Sequence, residues 1–156
     1  MRLLFVSLLL AACATAASGS PMVQTPEGGP AYRIEQGADR YRLDASGARV
    51  GQRIGFGDIG GVGGYCAMAL DVRADGSVAR VKMLGSRSDQ FELVCRRTAY
   101  DWRLAVTRDG TPVALDGLQA AIIVAERVGK PGPNGTRPFS TRVSFDTAEI
   151  EALRAR

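Results

Sequence analysis

Over residues 65–85, YCAMALDVRADGSVARVKMLG, apolar and polar positions alternate on either side of Asp75-Gly76. A period of two predicts half-buried strands. An Asp-Gly pair between two such runs predicts a hairpin closed by a two-residue type I′ turn, which needs positive φ at both positions. The turn sets the register: Val72 opposes Ala79, Leu70 opposes Val81 and Met68 opposes Met83 on one apolar face. The other face places Asp71 opposite Arg80, a favourable cross-strand charge pair, with Ala69 near Lys82 and Arg73 near Val78. One apolar and one mixed face predict an antiparallel sheet covered on one side. Cys66 shares parity with Met68 and Leu70 and therefore points inward.

The period then lengthens. Phe91, Val94, Cys95, Thr98, Ala99 and Trp102 recur at i, i+3, i+4, i+7, i+8 and i+11, which predicts an amphipathic helix. Asp89 and Glu92 form a capping-box-like start, and Trp102, on the inner stripe, is expected in the core. Residues 108–113 predict a turn and residues 118–128, LQAAIIVAERV, a third strand. A Pro/Gly loop leads to a short strand at residues 141–145. Asp146 with Glu149 then opens a terminal helix through Leu153. Upstream, weak alternation around Tyr32-Ile34 and Tyr41-Leu43, broken by Gly37 and Ser46-Gly47, predicts a short hairpin. The expected fold class is α+β: a small antiparallel sheet of about three strands with an amphipathic helix packed on one face. It is expected as one domain over residues 31–156.

The N-terminus follows another pattern. Arg2, an apolar run over residues 3–10 and a small-residue exit have the layout of a secretory signal. The stretch to Ala17 is shorter than the roughly 20 apolar residues that a bilayer span needs. Two processing routes fit. Cleavage after Ala14-Thr15-Ala16 would release a soluble periplasmic protein. Alternatively, Leu10-Ala11-Ala12-Cys13 resembles the lipobox of bacterial lipoproteins, in which residues 1–12 are removed and Cys13 is acylated. The lipobox is favoured, because aliphatic-small-small-Cys stands where the apolar run ends. Residues 18–30, SGSPMVQTPEGGP, lack hydrophobic period and read as a flexible tether, so residues 13–30 form the lipidated attachment. No Asp follows Cys13; by resemblance to enterobacterial lipoprotein sorting, this implies an outer-membrane lipoprotein facing the periplasm.

Composition narrows the chemistry. Twenty Lys and Arg against 16 acidic residues give +4, too small an imbalance to imply a nucleic-acid partner. The 156 residues contain no His, which excludes imidazole acid/base chemistry, Ser-His and Cys-His pairs and His metal sites. Of three cysteines, acylation of Cys13 leaves Cys66 and Cys95, whose spacing matches neither a CxxC redox pair nor a zinc set. In an oxidising compartment they are expected to pair, and helix and hairpin both turn them inward. Closing that loop contributes roughly 3.5 kcal/mol on the chain-entropy model. The alternative is a reactive thiolate at Cys95, activated by Arg96 and Arg97.

Other motifs carry less. Gly55, Gly57 and Gly60 satisfy G-x-G-x-x-G, but the next residues read as a strand, whereas a dinucleotide site must open a helix. Ser86 in GSRS lacks the G-x-S-x-G of a nucleophile elbow. Asp71 is explained by Arg80, and Asp89 and Asp146 by capping. The Asn134-Gly135-Thr136 sequon has no weight in a bacterial lipoprotein. No catalytic residue, cofactor or metal is expected, and a periplasmic enzyme stands as the minor alternative.

Hairpin, helix, turn and strand in this order resemble the C-terminal domain of the TonB family over about residues 59–127. The matching pieces are the strand ending in Asp75-Gly76, the second strand running into Ser86-Arg87-Ser88, and the helix ending in Trp102-Arg103-Leu104. Gly110-Thr111-Pro112-Val113 and the apolar strand near Ile122-Ile123-Val124 follow. The resemblance implies a three-stranded antiparallel sheet with a packed helix. It also implies recognition of extended peptides from outer-membrane transporters by edge-strand pairing. The counterpart edge is Ile122, Ile123, Val124, Ala125 and Glu126. The family's Tyr-Pro-x-x-Ala-Arg entry is absent, Leu104 replaces the usual Phe, and the two cysteines are additional. A family energy transducer also has an N-terminal spanning helix and a long Pro-rich arm; a dozen-residue tether reaches only roughly 20 Å. The expected function is therefore a non-enzymatic, lipid-anchored binding or scaffold module with an outer-membrane or periplasmic protein partner. Energy transduction for outer-membrane transport is the alternative.

Overall fold

The computed structural model describes residues 22–24, 30–50, 64–126 and 139–156. In chain order the elements are β1 (Met22–Gln24), β2 (Pro30–Gln36), β3 (Asp39–Gly47), β4 (Gly64–Val72), β5 (Val78–Ser86), α1 (Asp89–Tyr100), β6 (Arg103–Arg108), β7 (Thr111–Pro112), β8 (Leu115–Glu126), β9 (Phe139–Ser144) and α2 (Thr147–Arg154). All strand pairs are antiparallel. They build a five-stranded sheet, β1-β2-β3-β6-β7, and a four-stranded sheet, β5-β4-β8-β9.

The antiparallel α+β class agrees with the sequence pattern; a single sheet of about three strands does not. The upstream hairpin does not stand alone, because β3 pairs with β6 through Leu43↔Val106 and Arg42↔Thr107. In β6, buried Leu104 and Val106 alternate with exposed Arg103 and Ala105, too short a run to register beside the helix signal. Residues 22–24, inside the expected tether, pair with β2 as an edge strand.

The two sheets share one core. Cys66, Met68, Leu70 and Val72 of β4 pack with Leu43 and Leu104 of the five-stranded sheet and with Phe91, Cys95 and Ala99 of α1. Trp102 is buried there, as expected, and its Nε1 donates to the Arg49 carbonyl at 3.0 Å. On the opposite face of the four-stranded sheet, Ala67 and Ala121 receive Ile150 of α2, ringed by Tyr65, Leu84, Ile123 and Leu153. Each face of that sheet therefore carries a helix, not one face alone.

Two Asp-Gly pairs take different turns. Asp109 (φ 52°) and Gly110 (φ 81°) are both left-handed and join Arg108 directly to Thr111, the two-residue I′ geometry. At Asp75-Gly76 only Gly76 has positive φ. Gly76 N–H donates to the Arg73 carbonyl and Arg73 N–H to the Ser77 carbonyl, each at 2.9 Å, so the loop has three residues. The Asp75 carboxylate accepts from Ser77 N–H and Oγ, which holds Asp75 in its own turn and out of the left-handed region. Met68↔Met83, Ala69↔Lys82, Leu70↔Val81 and Asp71↔Arg80 pair as the alternation predicts, but the longer loop shifts Val72 onto Val78 in place of Ala79.

Helix starts also differ in detail. Ser88 caps α1, its hydroxyl accepting from Phe91 N–H at 3.2 Å, while Asp89 and Glu92 occupy the first turn. Asp146 caps α2 as expected, accepting from Ala148 and Glu149 N–H. The Glu149 side chain does not reach back to the cap; it turns towards β9.

Candidate functional site

The residues singled out from sequence are not brought to one place. Cys13, Gly55, Gly57, Gly60 and Asn134 lie outside the described residues. Cys66 and Cys95 are fully buried with their Sγ atoms 2.04 Å apart, joining the middle of the four-stranded sheet to α1. Burial inside a disulfide leaves no thiolate at Cys95.

The stretch from Ile122 to Glu126 offers no free edge. On one side β8 pairs with β4, through Cys66↔Ile122 and Tyr65↔Ile123. On the other it pairs with β9 along this whole stretch, from Ile122↔Val143 to Glu126↔Phe139. Ile122 and Val124 point into the main core, and Ile123 faces α2. The edge expected from the family resemblance is thus covered by a strand that the sequence signal placed nearby but could not pair. Among the described residues, the edges of this sheet are β5 and β9.

β9 is tied down from several directions. Arg142 makes a two-point ion pair with Glu149 of α2, and Ser144 Oγ donates to Glu149 Oε2 at 2.5 Å. The Arg142 bonds, reinforced by Ser144, hold the Glu149 carboxyl down at about 2. Burial, with Glu149 adding to it, pushes the Tyr32 phenol up. A serine beside a carboxylate invites a catalytic reading, but a carboxylate this acidic is too weak a base to take a hydroxyl proton near neutral pH. The cluster fastens α2 to the sheet. No group of three or more Cys, Asp or Glu side chains among the described residues could hold a metal ion.

β5 is different. It pairs with β4 on one side, and an open groove of about 890 Å³ runs by its outer side. Its sheet wall is Ala69 and Asp71 of β4, Arg80 and Lys82 of β5, and Asp116 and Gly117 of β8, so it extends from the β5 edge over the sheet face; Val81 and Met83 also line it, and Glu92 and Arg96 stand on the α1 side. These positions follow from local structure. Alternation along β5 sends Val81 to the core and leaves Arg80 and Lys82 exposed. The 3.6-residue helical period puts Glu92 and Arg96 one turn apart, where Arg96 Nη2 donates to Glu92 Oε1 at 2.7 Å. Arg80 Nε donates to Asp71 Oδ2 at 2.6 Å, and Gly117 N–H to Asp71 Oδ1 at 3.0 Å. The Gly117 bond, followed by that from Arg80, keeps the Asp71 carboxyl below its usual range. Gly117 (φ 72°) lies in a bulge of β8, where Leu70↔Leu118 gives way to Val72↔Leu115.

The groove can therefore do one thing well: present a strand edge with Arg80 and Lys82 on its outer face, Asp71 and Asp116 further in on the sheet, and a helix on the other flank. Among the described residues that line it, no nucleophile is paired with a base. Sequence reasoning identified the hairpin and the Asp71–Arg80 pair but not the edge, because strand order depends on where β8 and β9 dock, which neither hairpin strand encodes. No protein-family model, no curated protein and no solved structure matches the chain.

Proposed function

We propose that this chain is a non-enzymatic, lipid-anchored periplasmic binding or scaffold module that recognises an extended peptide by edge-strand pairing, with β5 as the receiving edge. The observation that carries the reading is the one-sided pairing of β5, among the described residues, beside an open groove. An unpaired edge is a template for an added strand: main-chain hydrogen bonds supply affinity, and alternate side chains supply selectivity. The lipobox-like Leu10-Ala11-Ala12-Cys13 and the resemblance to the TonB C-terminal domain support attachment at the outer membrane and a peptide as the ligand class.

Two measurements test it. The intact mass of membrane-extracted protein is expected to fit a chain beginning at acylated Cys13; an unlipidated chain starting near Ala17 overturns the anchor. Hydrogen exchange of the full chain, with and without a pooled library of synthetic octapeptides, is expected to slow at the β5 amides over residues 79–84. Slowing at β9 alone, or at neither edge, overturns pairing at β5.

A further inference from the structure

From the charges along β5 we infer the chemistry of the partner strand: an extended peptide in which acidic and apolar residues alternate. The inference rests on edge pairing at β5, and four features of the groove support it.

First, the outer face of β5 carries two exposed cations in succession, Arg80 and Lys82. Arg80 already meets Asp71, but it remains 73% exposed and its Nη atoms are not used in that contact. Lys82 sits directly opposite Ala69, and the carboxylate on its diagonal, Asp71, is already engaged by Arg80 and Gly117 N–H. A strand added beside β5 places its same-face residues directly opposite these two, where opposite charges stabilise and like charges destabilise.

Second, the other face of β5 is apolar. Val81 is buried and Met83 half-buried, and both line the groove. The intervening residues of an added strand would extend that surface towards α1. Their neighbours there are the side chains of Glu92 and Arg96, whose charges already satisfy each other. Small apolar side chains fit this flank, and an extra charge there would face a neutralised pair.

Third, the cations disfavour a second copy of this chain in the central registers of β5. Antiparallel self-pairing that keeps outer face on outer face, centred on Val81, sets Arg80 against Lys82. Centred on Lys82, it sets Lys82 against itself. Both arrangements bring cations together, so the same charges that oppose self-pairing there favour an acidic guest.

Fourth, the register is clean where the cations lie. Residues 80–83 pair without interruption against residues 68–71, and the irregularities fall outside, at Ala67/Met68 and Asp71/Val72. An added strand therefore meets a regular alternation over four residues, enough for two acidic contacts.

The probes are capped octapeptides alternating glutamate with valine, lysine with valine, and glutamine with valine, titrated into the full chain at 50 mM and 500 mM salt. The glutamate peptide is expected to bind roughly three- to tenfold more tightly than the glutamine peptide at low salt, the range that one or two cross-strand charge pairs supply. The preference should shrink at high salt through screening. Lys82→Glu, an exposed change whose melting curve reports folding independently, is expected to abolish the preference for glutamate or turn it towards lysine. Equal binding of the three peptides with slowed β5 exchange would overturn acidic selection and leave edge pairing standing. Absence of β5 slowing with every peptide would overturn both. A glutamate preference unchanged in Lys82→Glu would place the contact elsewhere and overturn the inference.

Discussion

Replacing Cys66 and Cys95 together by alanine separates two contributions that the structure places at one point. The two cysteines are 29 residues apart in sequence, and both are fully buried between β4 and α1. Closing a loop of that length restricts the unfolded chain by roughly 3.5 kcal/mol at 25 °C. Removing both sulfur atoms also leaves a small void in packed surroundings, adding about 1–2 kcal/mol. The whole loss, about 5 kcal/mol, compares with the roughly 5–15 kcal/mol that keeps a domain folded. Urea unfolding of wild type, of wild type held reduced, and of the double variant resolves the two parts. The reduced wild type keeps its sulfur volume and should lose only the loop contribution; the double variant should lose both. Because the unfolded ensemble expands without the cross-link, the slope m should rise in each. A reduced wild type within about 1 kcal/mol of the oxidised protein, with unchanged m, refutes the account of the bridge as a constraint on the unfolded chain.

Glu149→Gln should destabilise the protein by about 1 kcal/mol near neutral pH through loss of a charge-assisted pair at a partly exposed site. Folding lowers that carboxyl from the usual 4.5 to about 2. Its stabilisation is therefore complete above about pH 4.5–5 and lost as pH falls towards 2, so urea midpoints of variant and wild type should converge across that window. A gap that stays constant from pH 7 to pH 2 would remove Glu149 as its source. Gly47→Ala puts a Cβ 1.9 Å from the Arg103 carbonyl oxygen, and the backbone must move to relieve it. A loss of about 2–3 kcal/mol is expected, together with faster amide exchange along β3 and β6, against little change for an alanine at Gly47's neighbour Ser46.

The hairpin, α1 and the terminal helix were legible because each carries its own period. Alternation predicted four β4–β5 pairs correctly, and inward parity at Cys66 and Cys95 anticipated that the two face each other. What failed was geometry decided at one residue or across the chain. Asp75 looks like a I′ position, yet its carboxylate binds Ser77 and lengthens the loop by one residue. Asp109 makes no such bond among the described residues and, in the turn predicted over residues 108–113, adopts the I′ geometry expected at Asp75. Ser88 outcompetes Asp89 for the cap because its hydroxyl lies three residues before Phe91 N–H. The second sheet was hidden for a different reason. β6 is only six residues long, and its pairing with β3 spans about sixty residues of sequence, which no local pattern reports. The candidate edge fell with it: a strand near residues 141–145 was visible, but not that it docks on β8.

Which edge is available can be decided by magnitude. Freeing β8 for a guest means displacing β9, whose six residues all pair with β8. A guest strand restores those backbone bonds, so they cancel to first order. The side chains do not cancel. Phe145 follows β9 directly and is buried, 5.2 Å from Tyr32 and 6.1 Å from Trp102 between ring centroids. Removing a Phe from such a site costs about 3–5 kcal/mol, and the Arg142–Glu149–Ser144 cluster adds about 1 kcal/mol. At 1.4 kcal/mol per factor of ten, a peptide that had to expel β9 would bind roughly a thousand- to ten-thousandfold more weakly than one meeting an open edge. Among the described residues β5 imposes no such cost: its outer groove is open, and Arg80 can keep Asp71 while turning its remaining nitrogens outward. Strand addition at β5 is therefore favoured over strand exchange at β8, unless a guest supplies its own aromatic residue for the place of Phe145.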